Sequence, residues 1–467
     1  MCGVVGVFLF DENLNAYQYI LNGITVLQHR GQDSAGIFTC KSNEIYKHKN
    51  IGKVNAGFNE DYSKFLIGNY GIGHIRYATT GSLSIKQSQP LYLNGKKQSV
   101  SMVHNGNLTN TDNLTDILKE NNITIKTTSD TEILLHYFVH LLDKKLDNKI
   151  ELKEAIFNVI ENIMASCKGS YSVIVMITGY GLVAFRDPYG IRPLCFGKQN
   201  RFDYAIMSES IGIKSIGFNL VSDVKPGECI LVTKNEIHIK ICGPNYLKPC
   251  LFEFVYFARP ESVIDNILVY KARQNMGEAL AKNIQTNYAH LLSQIDVVMP
   301  VPDSARISAL KVAHILKKPY CEGLIKNAYI GRTFIMPNQE ERTSKLRLKL
   351  NAIDYEFHNK SVLLIDDSIV RGNTSIQIIK LARAAGATQI IFASIAAPII
   401  YPNFYGISIP TSNELVAYNK TNDEIQTIIG ADCLIYNSLN DVIESCRKVN
   451  NKIGEFETSC FDGKYIK

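Results

Sequence analysis

The stretch Val362–Ser375 constrains the fold more than any other part of this sequence. Four apolar residues are followed at once by two aspartates, and a short loop of small and hydroxyl residues leads into a helical pattern. Apolar strands alternate with helices on both sides of it, which predicts an α/β domain with a parallel sheet buried on both faces. The predicted strands are Ile295–Met299, Ser361–Ile365 and Gln389–Ala393, and the predicted helices lie near Ile267–Gln285, Ser304–Leu316 and Ser375–Ala385.

The residues after the central strand are suited to a phosphorylated sugar. A helix N-terminus presents free backbone N–H groups, and with hydroxyl side chains beside it forms an anion site that fits a 5-phosphate. The carboxylates of Asp366 and Asp367 can hold ribose hydroxyls and a Mg²⁺ ion. The alternative, an acidic strand end like that of response-regulator receivers, is disfavoured by the Arg-Gly-x-Thr-Ser continuation. The candidate ligands in the loop are Ser368, Arg371, Gly372, Asn373, Thr374 and Ser375.

The first half of the chain has a different pattern. Short β-type runs such as Gly3–Phe8 and Tyr171–Ile177 are separated by glycine-rich turns. Two helical patterns, Glu132–Lys144 and Leu152–Ser166, interrupt them. Such an order predicts an α+β sandwich in which layered sheets are covered by helices.

Length and composition bound the class of protein. A chain of 467 residues is too long for one typical core, and we expect two domains, 2–240 and 250–467, that join in Cys242–Pro249. No apolar run approaches the ~20 residues that a membrane helix needs, and the N-terminus lacks a secretory signal, which predicts a cytoplasmic protein with no membrane partner. The formal charge of +6 is mild, so we expect a solvated surface and no nucleic-acid partner.

Cys2 stands apart from the other cysteines by its position. The 11 cysteines are odd in number and form no CxxC pair, which argues against a disulfide framework and a compact zinc site. If Met1 is removed, Cys2 carries both a thiol and a free α-amine. An α-amine has a pKa of about 7.7–8.0 and can take the thiol proton near neutral pH. One residue then supplies nucleophile and base.

Four further strings carry polar groups that fit neither a plain core nor a plain loop. With Cys2 they resemble the class II glutamine amidotransferases, the N-terminal-nucleophile (Ntn) hydrolase type. The closest similarity is to the family that joins such a domain to a type I phosphoribosyltransferase, the glutamine phosphoribosyl pyrophosphate (PRPP) amidotransferases. The resemblance covers essentially the whole chain and weakens over Leu415–Asn450, where only packing roles are assigned. The strings are Gln28–Gly36, Gly71–Gly81, His104–Leu108 and Ser129–Glu132.

The resemblance implies a glutamine site in the first half. Arg76 offers a planar fork to the α-carboxylate of glutamine, and Asp130 offers a countercharge to its ammonium group. Thr79 resembles a further glutamine contact. Asn105 and Gly106 match the donors that bind the oxyanion formed when the nucleophile attacks the side-chain amide. Taken singly, these residues also fit a hairpin turn at Asn105-Gly106, a surface ion pair for Arg76 and a helix N-cap for Asp130.

The second half resembles the type I phosphoribosyltransferases. Val362–Ser375 matches their PRPP loop, although Asn373 stands where the family more often has threonine. Met299–Ser304 is placed like the pyrophosphate loop, and Ser304 matches a position associated with the metal. The alternative for this segment is a simple proline turn and helix cap.

Two more segments match the family. Gly323–Ile335 resembles the flexible loop that closes over PRPP, where Lys326 and Arg332 would stabilise the charge that builds on pyrophosphate as it leaves. Glu253–Pro260 matches the family closely, and the resemblance implies a place near the domain interface. The basic stretch continues through Arg342, Lys345, Arg347 and Lys349, for which a solvated face is the alternative.

The chain departs from those family members that hold an iron–sulfur cluster with four cysteines. Cys250 lies near the first ligand position, but Asn403 occupies the second. Gly454 and Glu457 stand where the last two ligands would fall, with Cys460 close by. A site this poor in thiolates predicts no iron–sulfur cluster.

The resemblance implies an enzyme that uses glutamine and PRPP with Mg²⁺ to make 5-phosphoribosylamine. It further implies feedback by AMP and GMP and a homotetramer or homodimer. Two alternatives stay open: another class II amidotransferase, of the glucosamine-6-phosphate synthase or asparagine synthetase type, and an inactive regulator with a phosphoribosyltransferase fold. The Asp366–Ser375 loop argues against the first, and an intact set of glutaminase residues argues against the second.

Overall fold

A seven-stranded antiparallel sheet forms one layer of the N-terminal half. The computed structural model describes residues 2–77, 84–327, 350–409 and 411–466. The strands of this sheet are β1 Gly3–Phe8, β2 Ser34–Lys41, β3 Glu44–Ile51, β4 Tyr70–Arg76, β9 Cys195–Gln199, β10 Asp203–Met207 and β11 Asn219–Asp223. They lie in the order β11-β9-β10-β1-β4-β2-β3.

A second antiparallel sheet packs face to face with the first. Its six strands are β5 Leu91–Asn94, β6 Ser99–Leu108, β7 Gly169–Ile177, β8 Gly181–Arg186, β12 Glu228–Thr233 and β13 Ile237–Ile241, in the order β13-β12-β8-β7-β6-β5. Strand β1 shows why the sheets are layered. Val4 and Phe8 pack against residues of the second sheet, whereas Val5 and Val7 pack beneath helices. Both faces of this strand are covered, so every residue in it is apolar or glycine.

Helices cover the outer face of each sheet. Those of this half are α1 Tyr17–Val26, α2 Val54–Gly57, α3 Thr111–Glu120, α4 Asp130–Asp147, α5 Leu152–Ser166 and α6 Ser210–Ser215. Helices α1 and α6 share a core with the first sheet, and α4 and α5 share one with the second. The layers therefore run helix, sheet, sheet, helix, and the predicted α+β sandwich is confirmed.

The C-terminal half contains a parallel sheet, as predicted. Its strands are β16 Val297–Pro300, β19 Ser361–Asp366, β20 Gln389–Ser394 and β21 Cys433–Tyr436, in the order β16-β19-β20-β21. Leu363 and Ile365 of the central strand pack into a core on one face, and Val362 and Leu364 into a core on the other. Two short antiparallel pairs accompany this sheet: β14 Val263–Ile264 with β15 Ile267–Leu268, and β17 Leu324–Lys326 with β18 Leu350–Ala352.

Helices cover both faces of the parallel sheet. They are α7 Val269–Asn287, α8 Arg306–Leu316, α9 Asp354–Phe357, α10 Asn373–Ala384, α11 Asn422–Ile429, α12 Leu439–Arg447 and α13 Ser459–Asp462. A π-helical turn, Glu253–Phe257, precedes them. Shorter 3-10 turns occur at Gln28–Arg30, Glu60–Lys64, Ala289–Leu291 and Ser412–Glu414.

The stretch Leu415–Asn450 supplies the last parallel strand and its two flanking helices. Helix α11 begins with a capping box, in which Thr421 and Glu424 each accept a hydrogen bond from the backbone of the other. The proposed division at 240–250 stays a prediction, although β13 ends the antiparallel layers at Ile241. Within the described ranges, no helix is both long enough and apolar enough to cross a membrane.

Candidate functional site

Cys2 lies between the two antiparallel sheets of the N-terminal half. It precedes β1 of the first sheet, and its backbone nitrogen donates to Oδ1 of Asn105, on β6 of the second sheet, at 3.1 Å. Its Sγ lies 4.0 Å from the carbonyl oxygen of Tyr77. The structure thus brings three of the predicted site residues, Arg76, Gly106 and Asp130, into one pocket with Cys2. The pocket is lined by Cys2, Arg76, Tyr77, Gln87, Gln89, His104, Gly106 and Thr128–Thr131.

Asn105, between the pocket-lining residues His104 and Gly106, carries a buried donor. Its side chain accepts through Oδ1, and its Nδ2 is buried with no hydrogen-bond partner among the described residues. A buried N–H group without a partner is rare and costs free energy, so a bound acceptor would satisfy it. Asn105 lies inside β6, and the hairpin-turn interpretation of Asn105-Gly106 is wrong.

Gly106 is required by the close packing of this strand. A Cβ atom there would lie 2.0 Å from the carbonyl oxygen of Ser170 and 2.7 Å from Nε2 of His104. No side chain fits in that space, and the glycine also holds φ at +155°. The backbone beside Asn105 is therefore open to a ligand on one side and closed by its neighbours on the other.

Arg76 and Asp130 place opposite charges in the same pocket. Arg76 ends β4, and its Nη2 donates to Oε1 of Gln87 at 3.2 Å. Asp130 is the first residue of α4, after the N-cap Ser129, and its Oδ2 accepts from the backbone nitrogen of Leu108 at 3.1 Å. An N-cap role for Asp130 is therefore wrong. Thr79 lies outside the described residues.

Two buried histidines, His74 and the pocket-lining His104, are held by hydrogen bonds. Burial lowers the pKa of His74 to about 3, so its ring is neutral and donates from Nε2 to the carbonyl oxygen of His104 at 3.2 Å. The backbone nitrogen of His104 donates to Oε1 of Gln89 at 2.7 Å, and Nε2 of Gln89 donates to Thr131. The sequence carried no signal for Gln89, because its partners lie on other elements.

The end of strand β19 forms the second candidate site. Both Asp366 and Asp367 are buried, and the hydroxyls of Ser304 and Ser368 donate to the two carboxylate oxygens of Asp367. Burial raises the pKa of both carboxyls, and Asp367 raises that of Asp366 further by repulsion. The structure therefore joins the predicted strand end to Ser304, 63 residues earlier in the chain.

This carboxylate pair fits a divalent cation that takes some of its ligands from the protein and the others from a bound substrate and water. Nowhere in the described ranges do three His, Cys, Asp or Glu side chains come together as a metal site. Mg²⁺ typically binds one or two carboxylates and takes its other oxygens from water and phosphates. A cation would also relieve the repulsion between Asp366 and Asp367.

Helix α10 begins directly after this strand end. Gly372, its N-cap, has φ of +76°, which glycine adopts without steric cost and which turns the chain into the helix. Asn373 and Thr374 are exposed at the first turn, and Ser375 is buried. Arg371 forms an ion pair with Glu414, with Nη2 and Oε2 at 2.6 Å.

The pyrophosphate-loop candidates lie beside the same sheet edge. Asp303 accepts from Nζ of Lys326 at 2.6 Å and pairs with Arg306 at 3.5 Å. Lys326 is thus brought next to the loop that contains Ser304. The remaining basic candidates, Arg332, Arg342, Lys345, Arg347 and Lys349, lie outside the described residues.

The positions that correspond to an iron–sulfur cluster form a packed cluster of other side chains. Cys250 forms a parallel bridge with Glu457, whose Oε1 accepts from the backbone nitrogen of Ser459 at 2.8 Å. Oδ1 of Asn403 accepts from the backbone of Tyr405 at 2.9 Å. Burial raises the pKa of Cys250 and of Cys460, which disfavours the thiolates that a cluster needs.

A buried charge network between the halves was not foreseen from the sequence. Arg30 belongs to the string Gln28–Gly36 and Glu253 to the string Glu253–Pro260, but no role was assigned to either. They meet Glu209 and Arg192, which no motif singled out. Hydrogen bonds join all four, over sequence separations of up to 223 residues.

Comparisons with known proteins cover both halves. A protein-family model for a glutamine amidotransferase domain matches residues 74–214. The amidophosphoribosyltransferase of Escherichia coli strain K12 is 46% identical over 474 aligned residues, which cover 100% of this chain and 92% of the relative. That of Saccharomyces cerevisiae is 43% identical, with 100% of this chain and 92% of the relative covered.

Two solved structures share the architecture of the whole chain. Glutamine PRPP amidotransferase from B. subtilis, complexed with ADP and GMP, is 34% identical, with a TM-score of 0.87 and 99% of this chain and 97% of that chain covered. An allosteric regulatory enzyme of purine biosynthesis is 35% identical, with a TM-score of 0.88 and coverage of 99% and 96%. Because these relatives share both halves, they do not favour another class II amidotransferase, of the glucosamine-6-phosphate synthase or asparagine synthetase type. Nor do they favour an inactive regulator. The chain belongs to the amidophosphoribosyltransferase family.

Proposed function

We propose that this chain transfers ammonia from glutamine to PRPP, giving 5-phosphoribosylamine, glutamate and pyrophosphate, the opening reaction of purine (IMP) biosynthesis. The observation that carries the proposal is the presence of two built sites in one chain. Cys2 meets the oxyanion-type donor Asn105 in one half, and the buried pair Asp366 and Asp367 meets Ser304 in the other. The names of the full-length relatives support the same reaction.

The first half-reaction takes place at Cys2. The α-amine, free once Met1 is removed, takes the thiol proton, and Sγ attacks the amide carbon of glutamine. The hydrogen bond from the Cys2 nitrogen to Asn105 orients that amine. Collapse of the tetrahedral intermediate breaks the C–N bond, and the proton leaves with ammonia. Water then frees glutamate from the γ-glutamyl thioester.

The oxyanion and the two ends of glutamine have separate partners. Nδ2 of Asn105 and the backbone N–H of Gly106 bind the oxyanion, where one such donor is typically worth about 3–4 kcal/mol in the barrier. Arg76 binds the α-carboxylate and Asp130 the ammonium group. Thr79 stays a predicted further contact.

The second half-reaction takes place at the end of the parallel sheet. Asp366 and Asp367 hold the ribose hydroxyls, and Ser304 positions Asp367. When Mg²⁺ is bound with PRPP, it neutralises charge on the pyrophosphate leaving group. The 5-phosphate lies at the N-terminus of α10 against Ser368 and the segment Gly372–Ser375.

Cations complete the phosphate site. Lys326, beside Asp303, and Arg371 supply positive charge near the pyrophosphate and phosphate groups. Arg371 exchanges Glu414 for a ligand phosphate, since the ion pair is half exposed and weak. Arg332 stays a predicted contact on the closing loop.

The family resemblance also supports regulatory and assembly proposals. A solved relative is complexed with ADP and GMP, which supports purine nucleotides, and AMP and GMP in particular, as feedback inhibitors. We further propose two domains, 2–240 and 250–467, a homotetramer or homodimer, and no iron–sulfur cluster. The buried, hydrogen-bonded Asn403 and Glu457 support the last point. An iron assay of the purified protein tests it, and four iron atoms per chain would overturn it. The cytoplasmic location stays a prediction.

The decisive test is glutamate release from glutamine, with and without PRPP and Mg²⁺, beside Cys2→Ala. We expect strong stimulation by PRPP that vanishes in the variant, while ammonia still drives pyrophosphate release from PRPP. Glutamate release that does not change with PRPP would contradict PRPP as the ammonia acceptor. It would restore the alternative of a glucosamine-6-phosphate synthase type of amidotransferase. Intact mass shows whether Met1 has been removed.

A further inference from the structure

The charge network between the two halves is balanced and fully buried. Arg30, Arg192, Glu209 and Glu253 are each at most 2% exposed. Nη2 of Arg30 donates to Oε1 of Glu253 at 2.7 Å, and Nη1 donates to Oε2 at 3.2 Å. A buried charge is costly unless it is paired, so each guanidinium needs its carboxylate.

Arg30 connects this network to the nucleophile. Its Nε donates to the carbonyl oxygen of Cys2 at 3.0 Å, and its Nη1 also donates to Glu209 at 2.5 Å. Since all three guanidinium nitrogens are engaged, the two carboxylates determine the orientation of the fork. Glu253 is therefore connected to Cys2 through a single residue, Arg30, although Glu253 and Cys2 are 251 positions apart in the chain.

Glu253 is also connected through Arg192 to Ser170 on β7, the strand that pairs with β6. Nη1 of Arg192 lies 3.3 Å from Oε1 of Glu253, and its Nε donates to the carbonyl oxygen of Tyr405 at 2.6 Å. The same carbonyl accepts from Oγ of Ser170 at 2.9 Å. Ser170 is the residue whose own carbonyl oxygen closes the space at Gly106.

The turn that carries Glu253 is held by helix α7 of the C-terminal half. Arg273 on α7 donates from Nε to the carbonyl of Phe254 at 3.0 Å and from Nη2 to that of Ala258 at 2.8 Å. These bonds fix the backbone on either side of the turn, and with it the position of Glu253.

We propose that Glu253 is a positioning residue for glutamine hydrolysis. It belongs to the C-terminal half, called the acceptor half because it would bind PRPP, the ammonia acceptor. It orients Arg30 and Arg192, and through them the backbone of Cys2 and the Gly106 strand. This inference rests on the proposed function, because it assigns Glu253 a part in the glutaminase step. Glu253 is not among the described residues that line the glutamine pocket, and it lies outside the PRPP loop. Its removal therefore changes the rate of the glutaminase step and leaves substrate binding intact.

The test variant is Glu253→Gln, which keeps the shape of the side chain and removes its charge. We expect the glutaminase kcat to fall about 10- to 100-fold, the effect of a displacement of about 1 Å at the reacting atoms, with KM for glutamine within about 2-fold. Ammonia-dependent pyrophosphate release from PRPP stays within about 2-fold of wild type. Glu253→Asp, which restores the charge with a shorter reach, recovers part of the kcat.

Glu261→Gln is the matched control, since Glu261 is half exposed and pairs with Arg259 on the same segment. It leaves all these rates unchanged. Loss of the ammonia-dependent reaction and of a cooperative thermal transition would show that Glu253→Gln does not fold. In that case Arg30→Lys tests the inference, because it keeps the positive charge and loses the planar fork that Glu253 orients. A folded variant with wild-type glutaminase kcat overturns the inference. So does a rise in KM alone, or an equal fall in both reactions. If wild type itself lacks both reactions, it is the proposed function that fails.

Discussion

At the residue scale, Asn105 combines two tasks in one amide group. Its oxygen accepts from the Cys2 nitrogen, and its buried Nδ2 has no partner within the described part of the chain. In the proposed mechanism the first contact orients the base, and the second group binds the oxyanion. An isosteric replacement separates the two tasks, because a carboxylate keeps the acceptor and loses the donor.

Asn105→Asp is expected to lower the glutaminase kcat by about 100- to 1000-fold, the usual effect of losing one oxyanion donor. KM for glutamine changes little, because the oxyanion exists only in the transition state and the intermediate. Steady-state glutamate release measures both constants. Ammonia-dependent pyrophosphate release serves as the internal control and stays at the wild-type level. Retention of glutaminase kcat in the variant would contradict the oxyanion assignment.

Asp366 exchanges stability for binding. Its folded-state pKa is raised by burial and by repulsion from Asp367, so the native state favours the protonated form. The contribution of Asp366 to native stability is therefore fully present below about pH 4, its unfolded pKa, and is lost as the pH rises through the raised folded-state pKa. Asp366→Asn removes this loss and keeps the acceptor for the backbone nitrogen of Asp367.

We expect Asp366→Asn to unfold at a higher temperature than wild type at about pH 8, because the raised folded-state pKa of Asp366 makes its charged form unfavourable in the folded chain. The difference shrinks toward about pH 4. Thermal unfolding without PRPP or Mg²⁺ at several pH values measures it. The variant also loses PRPP-dependent activity. A lower stability at about pH 8 would show that the carboxylate pair does not repel in the native state.

At the element scale, a loop of the acceptor half packs directly on strand β6. The side chain of Asn107 donates to the carbonyl oxygen of Phe404 at 3.0 Å. Gly406, with φ of +94°, lies so close that a Cβ atom there would be 3.1 Å from the carbonyl carbon of Gly106. The C-terminal half thus contacts β6 at Gly106 and Asn107, the strand to which we assign the oxyanion donors.

Gly406→Ala should therefore disturb the glutaminase from outside its domain. The positive φ and the contact together cost about 1–3 kcal/mol of stability, and glutaminase kcat falls about 10-fold or more as Gly106 shifts. The matched control is Gly454→Ala, because a Cβ at Gly454 meets no atom within 4 Å. Chemical denaturation and glutamate release measure the two effects. Equal behaviour of the two variants would remove the role of this loop.

At the scale of the whole molecule, buried ion pairs join the halves. Nη1 and Nη2 of Arg186 on β8 each lie 2.8 Å from an oxygen of Asp265, which belongs to the acceptor half. Arg186 is fully buried and Asp265 is 5% exposed. Loss of the Asp265 charge would weaken both of these hydrogen bonds, and the charges of Asp187 and Asp223 would still act on Arg186.

Asp265→Asn is expected to lower the free energy of unfolding by about 1–3 kcal/mol, the usual range for weakened hydrogen bonds to a buried charged group. Asparagine tolerates the positive φ at this position, so the charge alone changes. Thermal inactivation of the glutaminase and of the ammonia-dependent reaction should move to lower temperature together, because the pair belongs to both halves. Glu12→Gln, in the exposed pair with Lys234, is the control and leaves both unchanged. Inactivation of only one reaction would show that the halves unfold separately.

Local patterns predicted most elements and several site residues. Helix α5 occupies its predicted range, Leu152–Ser166, since apolar residues at helical spacing predict a buried face. The PRPP-loop residues are contiguous, so their strand, loop and helix could be predicted together. The capping box of Thr421 and Glu424 was equally local, yet the fourth parallel strand after it was not predicted, because Cys433–Tyr436 is too short to separate from a buried helix segment.

The sequence by itself determined the two fold classes and the position of the carboxylate pair after the central strand, because each depends on neighbouring residues or on a periodic pattern. It also singled out Cys2 by its position, and the role of Cys2 as nucleophile stays a prediction. Only the tertiary structure decided which distant groups meet. Glu253 lies 223 residues from Arg30, and Ser304 lies 63 residues from Asp367. A single buried charge leaves no periodic pattern in the sequence. Its partner is set by how whole sheets pack against one another, because desolvation forces the pairing only once those surfaces are in contact.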